Sequence, residues 1–519
     1  MYSNKIKNFL IPFLLIFLTV FTRFYCLDWG NSFFFNPDEN NMATAIFQMS
    51  PSNLNPNFFA YGQFPLFLTF FTTPIHTFFS IILTLRFWSA IFSSLSILFF
   101  YLISQKIFYS KKLNYIFTLL LIFTPGLIQS AHFGTTESIL IFVFSSNIFL
   151  SLKYYQTQKK HFFLFSILVS AIGLGTKITA IFFVLPIYLC LFLFFLKDKK
   201  ILNFIFNSFL FTFLLLLLSF LFSPFNIIKF SDFKSSMIYE TSVATGKNLV
   251  FYTRQFKNSL PYIFQIKKVF PYANGIFIFI FSIIGFLIFL KNKVQKEIAL
   301  VLIPSIIYFL YTGQLFTKWS RFMSPLFFLA PFFCLFIFQK IKNKFATLIL
   351  LIIMVSPGIY FFSKYFSPDI RVNASNWIKL NIPSDSFVLS ESGNVENLPL
   401  NSDLKVNNFD FYQLDTNPSS SKELSQYLTS ADYIFIPSCR VFKNQNNTNY
   451  PISQKYYQNL FSGNLGFEEI KIISNKKDLF LNSENAEETW SVFDSPTIQI
   501  YKKVTNLTAD DYQKIINQN

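Results

Sequence analysis

The sequence predicts an α-helical multi-span membrane protein with a soluble α/β domain at its C-terminal end. Three observations predict this. The chain is 52% hydrophobic and only 13% charged, contains 77 Phe, and has a mean hydropathy of +0.43, values of a chain whose solvent is largely lipid. Apolar runs long enough to cross roughly 30 Å of hydrocarbon recur up to about Phe362. From about Lys364 those runs shorten to strand length, and Asn, Ser, Asp and Glu become frequent.

Taken in order, the expected spans are Phe9–Leu27, Phe87–Ile103, Leu113–Ile128, Ser138–Leu152, Phe162–Leu174, Ile178–Leu196, Ile201–Phe222, Tyr272–Leu290, Ile298–Tyr311, Phe322–Phe338 and Phe345–Phe362. Lys5 and Lys7 precede the first, and no small-residue cleavage site follows it, so it reads as an uncleaved span with a cytoplasmic N-terminus. The run Phe64–Leu83 is ambiguous, and lysines decide it. If it lies at the outer interface, the clusters Lys106/Lys111/Lys112, Lys153/Lys159/Lys160, Lys197/Lys199/Lys200, Lys291/Lys293/Lys296 and Lys340/Lys342/Lys344 all face the cytoplasm; if it crosses, all face outward. The positive-inside rule favours an interfacial or re-entrant helix broken at Pro65 and Pro74, leaving about eleven spans.

The formal charge of +17 is therefore spent on topology, and it does not argue for a nucleic-acid partner. Cys26, Cys190, Cys334 and Cys439 form neither a disulfide framework nor a metal-ligand pattern. Residues 1–363 are expected to form the membrane domain and residues 364–519 an extracytoplasmic α/β domain. Its expected strands include Phe387–Leu389, Tyr433–Ile436 and Ile498–Tyr501; its expected helices lie near Asn373–Leu380 and Lys455–Phe461.

This topology places Asp28 to about Leu83, the turn His132–Glu137, the loop Ser223–Pro271 and everything after Ser363 outside. Scarce acids then gather on one face. Asp38 and Glu39 follow Pro37 at the start of a helical pattern, where carboxylates suit either a helix cap or an active site. Glu137 sits in the polar interruption Ser130–Ser138 and reads as a water-exposed turn acid or as a carboxylate facing a cavity. His132 reads as a turn hydrogen-bonder. Arg86, Lys177 and Arg321 also fall outside, where topology does not call for cations; they fit either snorkelling helix ends or ligands of a lipid phosphate. Gly173–Lys177 lacks the spacing of a P-loop.

These pieces, in this order, resemble the GT-C superfamily of membrane glycosyltransferases, in particular the group holding protein O-mannosyltransferases and the aminoarabinose transferase of lipid A. The resemblance rests on Pro37-Asp38-Glu39, Tyr61-Gly62-Gln63-Phe64-Pro65-Leu66, Arg86, the turn Ser130–Ser138, Gly173–Thr179 and Ser320-Arg321-Phe322-Met323-Ser324-Pro325. Asn376–Pro383 and Asp494–Tyr501 resemble the outer domain of bacterial members. It implies a plasma-membrane enzyme that moves a sugar from a polyprenyl phosphate to a hydroxyl of a protein, glycolipid or polymer, with no cofactor and no required metal, although a divalent ion stays open. It also implies Asp38 as base or acceptor-orienting acid, with Glu39 beside it. Many relatives have Arg-x-Asp in the second turn, where this chain has Thr135-Thr136-Glu137.

The chemistry suits these residues. A lipid phosphate is already a leaving group, so proton removal from the acceptor and charge stabilisation on the phosphate remain to be supplied. Asp38, Glu39 and Glu137 are the expected catalytic acids, and Lys177, Arg321 and Arg86 the expected phosphate ligands. Direct attack would invert the anomeric centre; nothing suggests a covalent route through paired carboxylates. A transporter or lipid flippase is the competing class and predicts acids near the bilayer midplane; a receptor-like scaffold is a third.

Overall fold

A computed structural model describes residues 2–394, 398–400, 404–475 and 479–517, with side chains from Leu10 onward, so Lys5 and Lys7 lie outside the described side chains. The chain divides into two compact units. The first comprises Met1–Leu27, Asp38–Asn248 and Leu260–Ser363; the second comprises Asp28–Pro37, Leu249–Ser259 and Lys364–Asn519.

The helices of the first unit are α1 (Tyr2–Phe24), α2 (Pro37–Phe47), α3 (Phe64–Thr72), α4 (Phe78–Ile107), α5 (Lys111–Ile122), α6 (Pro125–His132), α7 (Glu137–Thr157), α8 (Lys160–Thr176), α9 (Leu185–Asp198), α10 (Ile201–Phe222), α11 (Phe225–Ile228), α12 (Phe230–Ala244), α13 (Phe270–Asn274), α14 (Ile276–Phe289), α15 (Lys296–Gly313), α16 (Ser320–Met323), α17 (Leu329–Lys340) and α18 (Lys344–Ser363). Among the described residues, six straight helical stretches are long and apolar enough to cross a membrane. Three further pairs pass that test only together: α5 with α6, bent by 54°, the helical stretch Gln265–Asn274 with α14, bent by 112°, and the turn Ser320–Leu326 with α17, bent by 41°. The chain is a multi-pass membrane protein.

Nine of the eleven expected spans fall on these stretches, three of them on the bent pairs, whereas Phe9–Leu27 and Phe162–Leu174 fall on the shorter apolar helices Leu10–Phe24 and Lys160–Thr176. The first break has a visible chemical cause. Pro125 has no N–H for the carbonyl of Leu121, and the buried guanidinium of Arg23 donates to Leu121 O (3.2 Å) and Ile122 O (2.8 Å) instead. The run Phe64–Leu83 is also divided. Pro65 stands in the first turn of α3, which ends at Thr72; nine residues make roughly 14 Å, too short to cross. Phe78–Leu83 belongs to α4 instead, whose N-cap Thr77 accepts the Ser80 N–H at 3.2 Å.

Helix packing follows small side chains. The buried stripe of α4 carries Ser89, Ser93 and Ser96, and that of α7 carries Ser138, Ser145 and Ser146, which lets helix backbones approach in an apolar solvent. Gly285 in α14 is closer still: a Cβ there would stand 2.0 Å from Phe333 O on α17. By contrast, α10 buries only Phe211 and Leu215 and leaves Phe209, Leu216 and Leu221 largely exposed, as a lipid-facing helix does.

The second unit is a five-stranded mixed sheet, β1 (Phe387–Glu391), β2 (Lys405–Phe409), β3 (Tyr433–Ile436), β4 (Phe467–Ile473) and β5 (Ile498–Lys503), in the order β2-β1-β3-β5-β4. β1 pairs in parallel with β2 and β3, whereas β5 pairs antiparallel with β3 and β4. Its helices are α19 (Ile370–Asn381), α20 (Ser420–Ser430), α21 (Arg440–Gln445), α22 (Pro451–Phe461) and α23 (Ala509–Asn517). Side chains alternate between the faces. Leu389, Ile434, Ile436 and Tyr501 join Leu424, Leu428, Tyr456, Leu460 and Ile516 in one core. Val388, Phe435, Ile498 and Ile500 join Ala374 and Ile378 of α19 in the other.

Candidate functional site

Helix α2 starts at Pro37, whose missing N–H costs nothing in a first turn and whose fixed φ suits one. Asp38 and Glu39 follow directly, where the helix dipole favours carboxylates. Successive helical residues point about 100° apart, so the two acids meet different surroundings.

Glu39 is fully buried. Its carboxylate takes two parallel bonds from Arg86 of α4, Nε at 3.0 Å and Nη2 at 2.8 Å, and a third from the Gly134 N–H. Arg86 spends a further donor on Leu27 O at 2.8 Å, and its side chain is 1% exposed. The expected catalytic acid Glu39 and the expected phosphate ligand Arg86 therefore face each other, and the pair clamps α2, α4 and the turn after α6 together. A buried, bidentate pair of this kind is a positioning element, because both charges already have partners.

Asp38 points the other way and is 17% exposed. Its carboxylate accepts the Tyr61 hydroxyl at 3.0 Å and an Arg321 guanidinium N–H. Arg321 lies on α16, a single turn held to α15 by the Tyr308 hydroxyl, which donates to Phe322 O at 2.9 Å. The guanidinium stacks over Trp319 at 4.7 Å.

Glu137 opens α7, and its Oε1 lies 3.9 Å from the Lys177 ammonium at the end of α8. The ammonium also lies over the rings of Tyr61 at 4.9 Å and Phe322 at 5.4 Å. Burial pulls Lys177 below the usual lysine value, while Glu137 and Glu240 of α12 act against that shift. Burial pushes the carboxyl of Glu240 up, and Lys177 opposes it.

Backbone contacts lock these loops. The Gly62 N–H donates to Thr176 O at 2.8 Å, and a Cβ on Gly62 would stand 2.1 Å from Gly175 O. Ser223 Oγ accepts from the Gln63 N–H at 2.8 Å and donates to Gly175 O at 3.1 Å. The Gln63 side chain donates to Asn226 Oδ1 at 2.9 Å and accepts the Phe225 N–H at 2.9 Å. His132, expected in a turn, is instead the buried last residue of α6, with Nδ1 2.9 Å from Ile128 O and Nε2 3.0 Å from Tyr25 O.

Asp38, Arg321, Glu137 and Lys177 thus join through Tyr61 and Phe322, while Glu39 and Arg86 stand behind Asp38. Glu240 was not foreseen, nor were the parts of Tyr61 and Trp319; the signal for Trp319 was its place two residues before Arg321. Among the described residues no three His, Cys, Asp or Glu side chains are grouped to hold a metal ion.

Residues 65–228 match the family model described as dolichyl-phosphate-mannose-protein mannosyltransferase. The fold is similar to that of the oligosaccharyltransferase of Archaeoglobus fulgidus in its apo form, with a TM-score of 0.54 at 14% identity over 88% of this chain and 73% of that one. It is likewise similar to ArnT from Cupriavidus metallidurans bound to undecaprenyl phosphate, with a TM-score of 0.52 at 11% identity over 95% of this chain and 97% of that one. The chain therefore shares its fold with these two proteins. No curated protein matches it in sequence. The stretch matched by the family model includes Arg86, Glu137 and Lys177, whereas Asp38, Glu39 and Arg321 lie outside it.

Proposed function

We propose that this chain is a GT-C glycosyltransferase that transfers a sugar from a polyprenyl-phosphate donor to an acceptor hydroxyl at the outer face of the plasma membrane, with inversion, and that residues 364–519 lie on that same side. One observation carries the reading: of two adjacent carboxylates, Glu39 is sealed by Arg86, whereas Asp38 stays partly open beside Arg321 and within one aromatic ring of Lys177. The ArnT structure holding undecaprenyl phosphate and an oligosaccharyltransferase structure tethered to an acceptor peptide support a lipid-linked donor and a peptide among the acceptor classes.

In the proposed reaction the acceptor oxygen attacks the anomeric carbon while the bond from that carbon to the phosphate oxygen breaks. The hydroxyl proton passes to Asp38, and the electron pair leaves with the polyprenyl phosphate. Tyr61 and Arg321 both donate to this carboxylate and fix its orientation toward the acceptor. Lys177 holds the charge that develops on the phosphate, with Glu137 setting the ammonium. Arg321 serves the phosphate as it turns from Asp38, and Glu39 with Arg86 holds the first turn of α2 in place.

The test is consumption of a panel of polyprenyl-phosphate sugars by the purified protein in liposomes, with identification of the labelled product. Asp38→Asn keeps shape and hydrogen bonding but not proton acceptance, so turnover should fall by about 10²-fold or more while binding of undecaprenyl phosphate persists. Unchanged turnover in that variant removes Asp38 as the base, and a wild-type protein that consumes no lipid-linked donor defeats the transferase reading.

A further inference from the structure

Three segments distant in sequence meet around one side chain. Tyr61 precedes α3, Lys177 ends α8, and Asp38 opens α2. The Tyr61 hydroxyl donates to Asp38 Oδ1 at 3.0 Å, while the ring of the same residue lies under the Lys177 ammonium, whose nitrogen is 4.9 Å from the centroid. The register is set next door on both sides: Gly62 N–H bonds Thr176 O, so the residues flanking Tyr61 and Lys177 are tied at 2.8 Å.

We propose that Tyr61 is the positioning residue that joins the two halves of the site: its hydroxyl orients the Asp38 carboxylate, and its ring seats the Lys177 ammonium. This rests on the transferase reading for the roles of Asp38 and Lys177, but the joint itself does not. The charged groups facing it are Arg321 from α16, Lys177 from α8, Glu137 from α7 and Glu240 from α12, with the Glu39–Arg86 pair behind Asp38.

The two contacts differ in kind. A hydroxyl donated to a carboxylate favours its ionised form and fixes which oxygen lone pairs face the open side. A ring face attracts an ammonium through its quadrupole without accepting through a lone pair, so the three N–H donors of Lys177 stay available to phosphate oxygens. Glu137, at 3.9 Å, is past hydrogen-bond length and does not consume them either. One rigid aromatic side chain thereby fixes the base relative to the phosphate-holding cation, a separation that in-line displacement depends on.

Two variants separate the contacts. Tyr61→Phe keeps the ring and removes the hydroxyl; Tyr61→Leu removes both. The first readout needs no sugar: the ¹⁹F resonance of 5-fluoro-Trp319, assigned with Trp319→Phe, follows the ionisation of Asp38 through the stacked Arg321. Asp38→Asn should abolish the acid-side titration, and Tyr61→Phe should move its midpoint upward, because the ionised carboxylate loses a donor. The second readout is binding of undecaprenyl phosphate to the full chain in nanodiscs. Tyr61→Phe should stay within about twofold of wild type, and Tyr61→Leu should bind about tenfold more weakly. An unmoved midpoint in Tyr61→Phe, or wild-type binding in Tyr61→Leu, overturns the proposal. Both shifts in a protein that consumes no lipid-linked sugar would uphold the joint and dismiss the transferase reading.

Discussion

Asp38 and Glu39 differ by one methylene and one position, yet the fold gives them opposite fates. The sequence shows both as acids after a proline; it does not show helical phase, and phase alone turns Glu39 inward to Arg86 and Asp38 outward to Tyr61 and Arg321. The pairing makes a prediction at this scale. Arg86→Met strands a fully buried carboxylate and should cost about 3–5 kcal/mol, whereas the double variant Arg86→Met/Glu39→Gln should recover most of that loss. Thermal unfolding in detergent checks it: if the double variant is no more stable than the single one, the cost lies in lost packing instead of a stranded charge. Arg86 was legible as a cation that topology did not need. That its partner would be Glu39 was not, because 47 residues separate them and only a packed structure brings them together. Lys177 and Glu137 were legible for the same reason, as charges at the boundary of apolar runs, while Tyr61 was marked only as part of the Tyr61–Leu66 motif, and its contacts to Asp38 and Lys177 were not, in a chain that is 21% aromatic.

Elements that depend on apolar length were readable, as was the break near Pro74 between α3 and α4, whereas the bends at Pro125 and Gly275 and the edge strands were not. The spans Ile178–Leu196 and Ile201–Phe222 fall on helical stretches that reach Asp198 and Phe222. Tyr272–Leu290 reads as one span, yet it turns at Gly275, which adopts a φ of +76° that most side chains resist. Strands β2 and β4 escaped because Lys405–Phe409 and Phe467–Ile473 are edge strands with polar or charged positions, and no apolar run marks them. Among the connecting loops, the approach of Tyr61-Gly62-Gln63 to Gly175-Thr176 tolerates least. Gly62→Ala must push Gly175 O away and break the bond to Thr176 O. The expected result is turnover reduced by about tenfold or more, since small misplacements of reacting groups are costly, with membrane insertion retained. Wild-type turnover in Gly62→Ala would mean that the two loops are not held by this contact.

For the whole molecule, sidedness is the property on which the functional reading stands. On the positive-inside rule the loop at Asn292 is expected in the cytoplasm and residues beyond Ser363 outside. Ser384 and Asn292 are both exposed, so each accepts a cysteine probe without disturbing a core; Ser390, by contrast, is buried in β1 and would report packing. In a background lacking Cys26, Cys190, Cys334 and Cys439, a membrane-impermeant maleimide added to intact cells should label Ser384→Cys and spare Asn292→Cys until the cells are opened. Labelling in the opposite order would invert the topology and place Asp38 on the cytoplasmic face. The two-part organisation was visible from the change in composition near Lys364. The capture of Asp28–Pro37 and Leu249–Ser259 by the second unit was not, since such short segments have no core of their own and belong wherever they find one. Arg371 shows how this happens: its guanidinium lies 3.9 Å from the centre of the Phe35 ring and donates to Phe493 O at 3.0 Å.

Helix α4 runs from Phe78 to Ile107, roughly 45 Å at 1.5 Å per residue, half as long again as the hydrocarbon is thick. Lys106 stands in its last turn and Arg86 in its first third, roughly 30 Å apart. On the proposed topology Lys106 would stand among the headgroups of one leaflet and Arg86 would reach those of the other, so that the Glu39–Arg86 pair would set the depth of the neighbouring Asp38. The helix is a depth gauge. In the proposed reaction a lipid-linked donor would carry its phosphate at that level and keep its isoprenoid tail in the bilayer, so the number of prenyl units should change turnover through partitioning into the membrane and not through the fit of the anomeric carbon to the site.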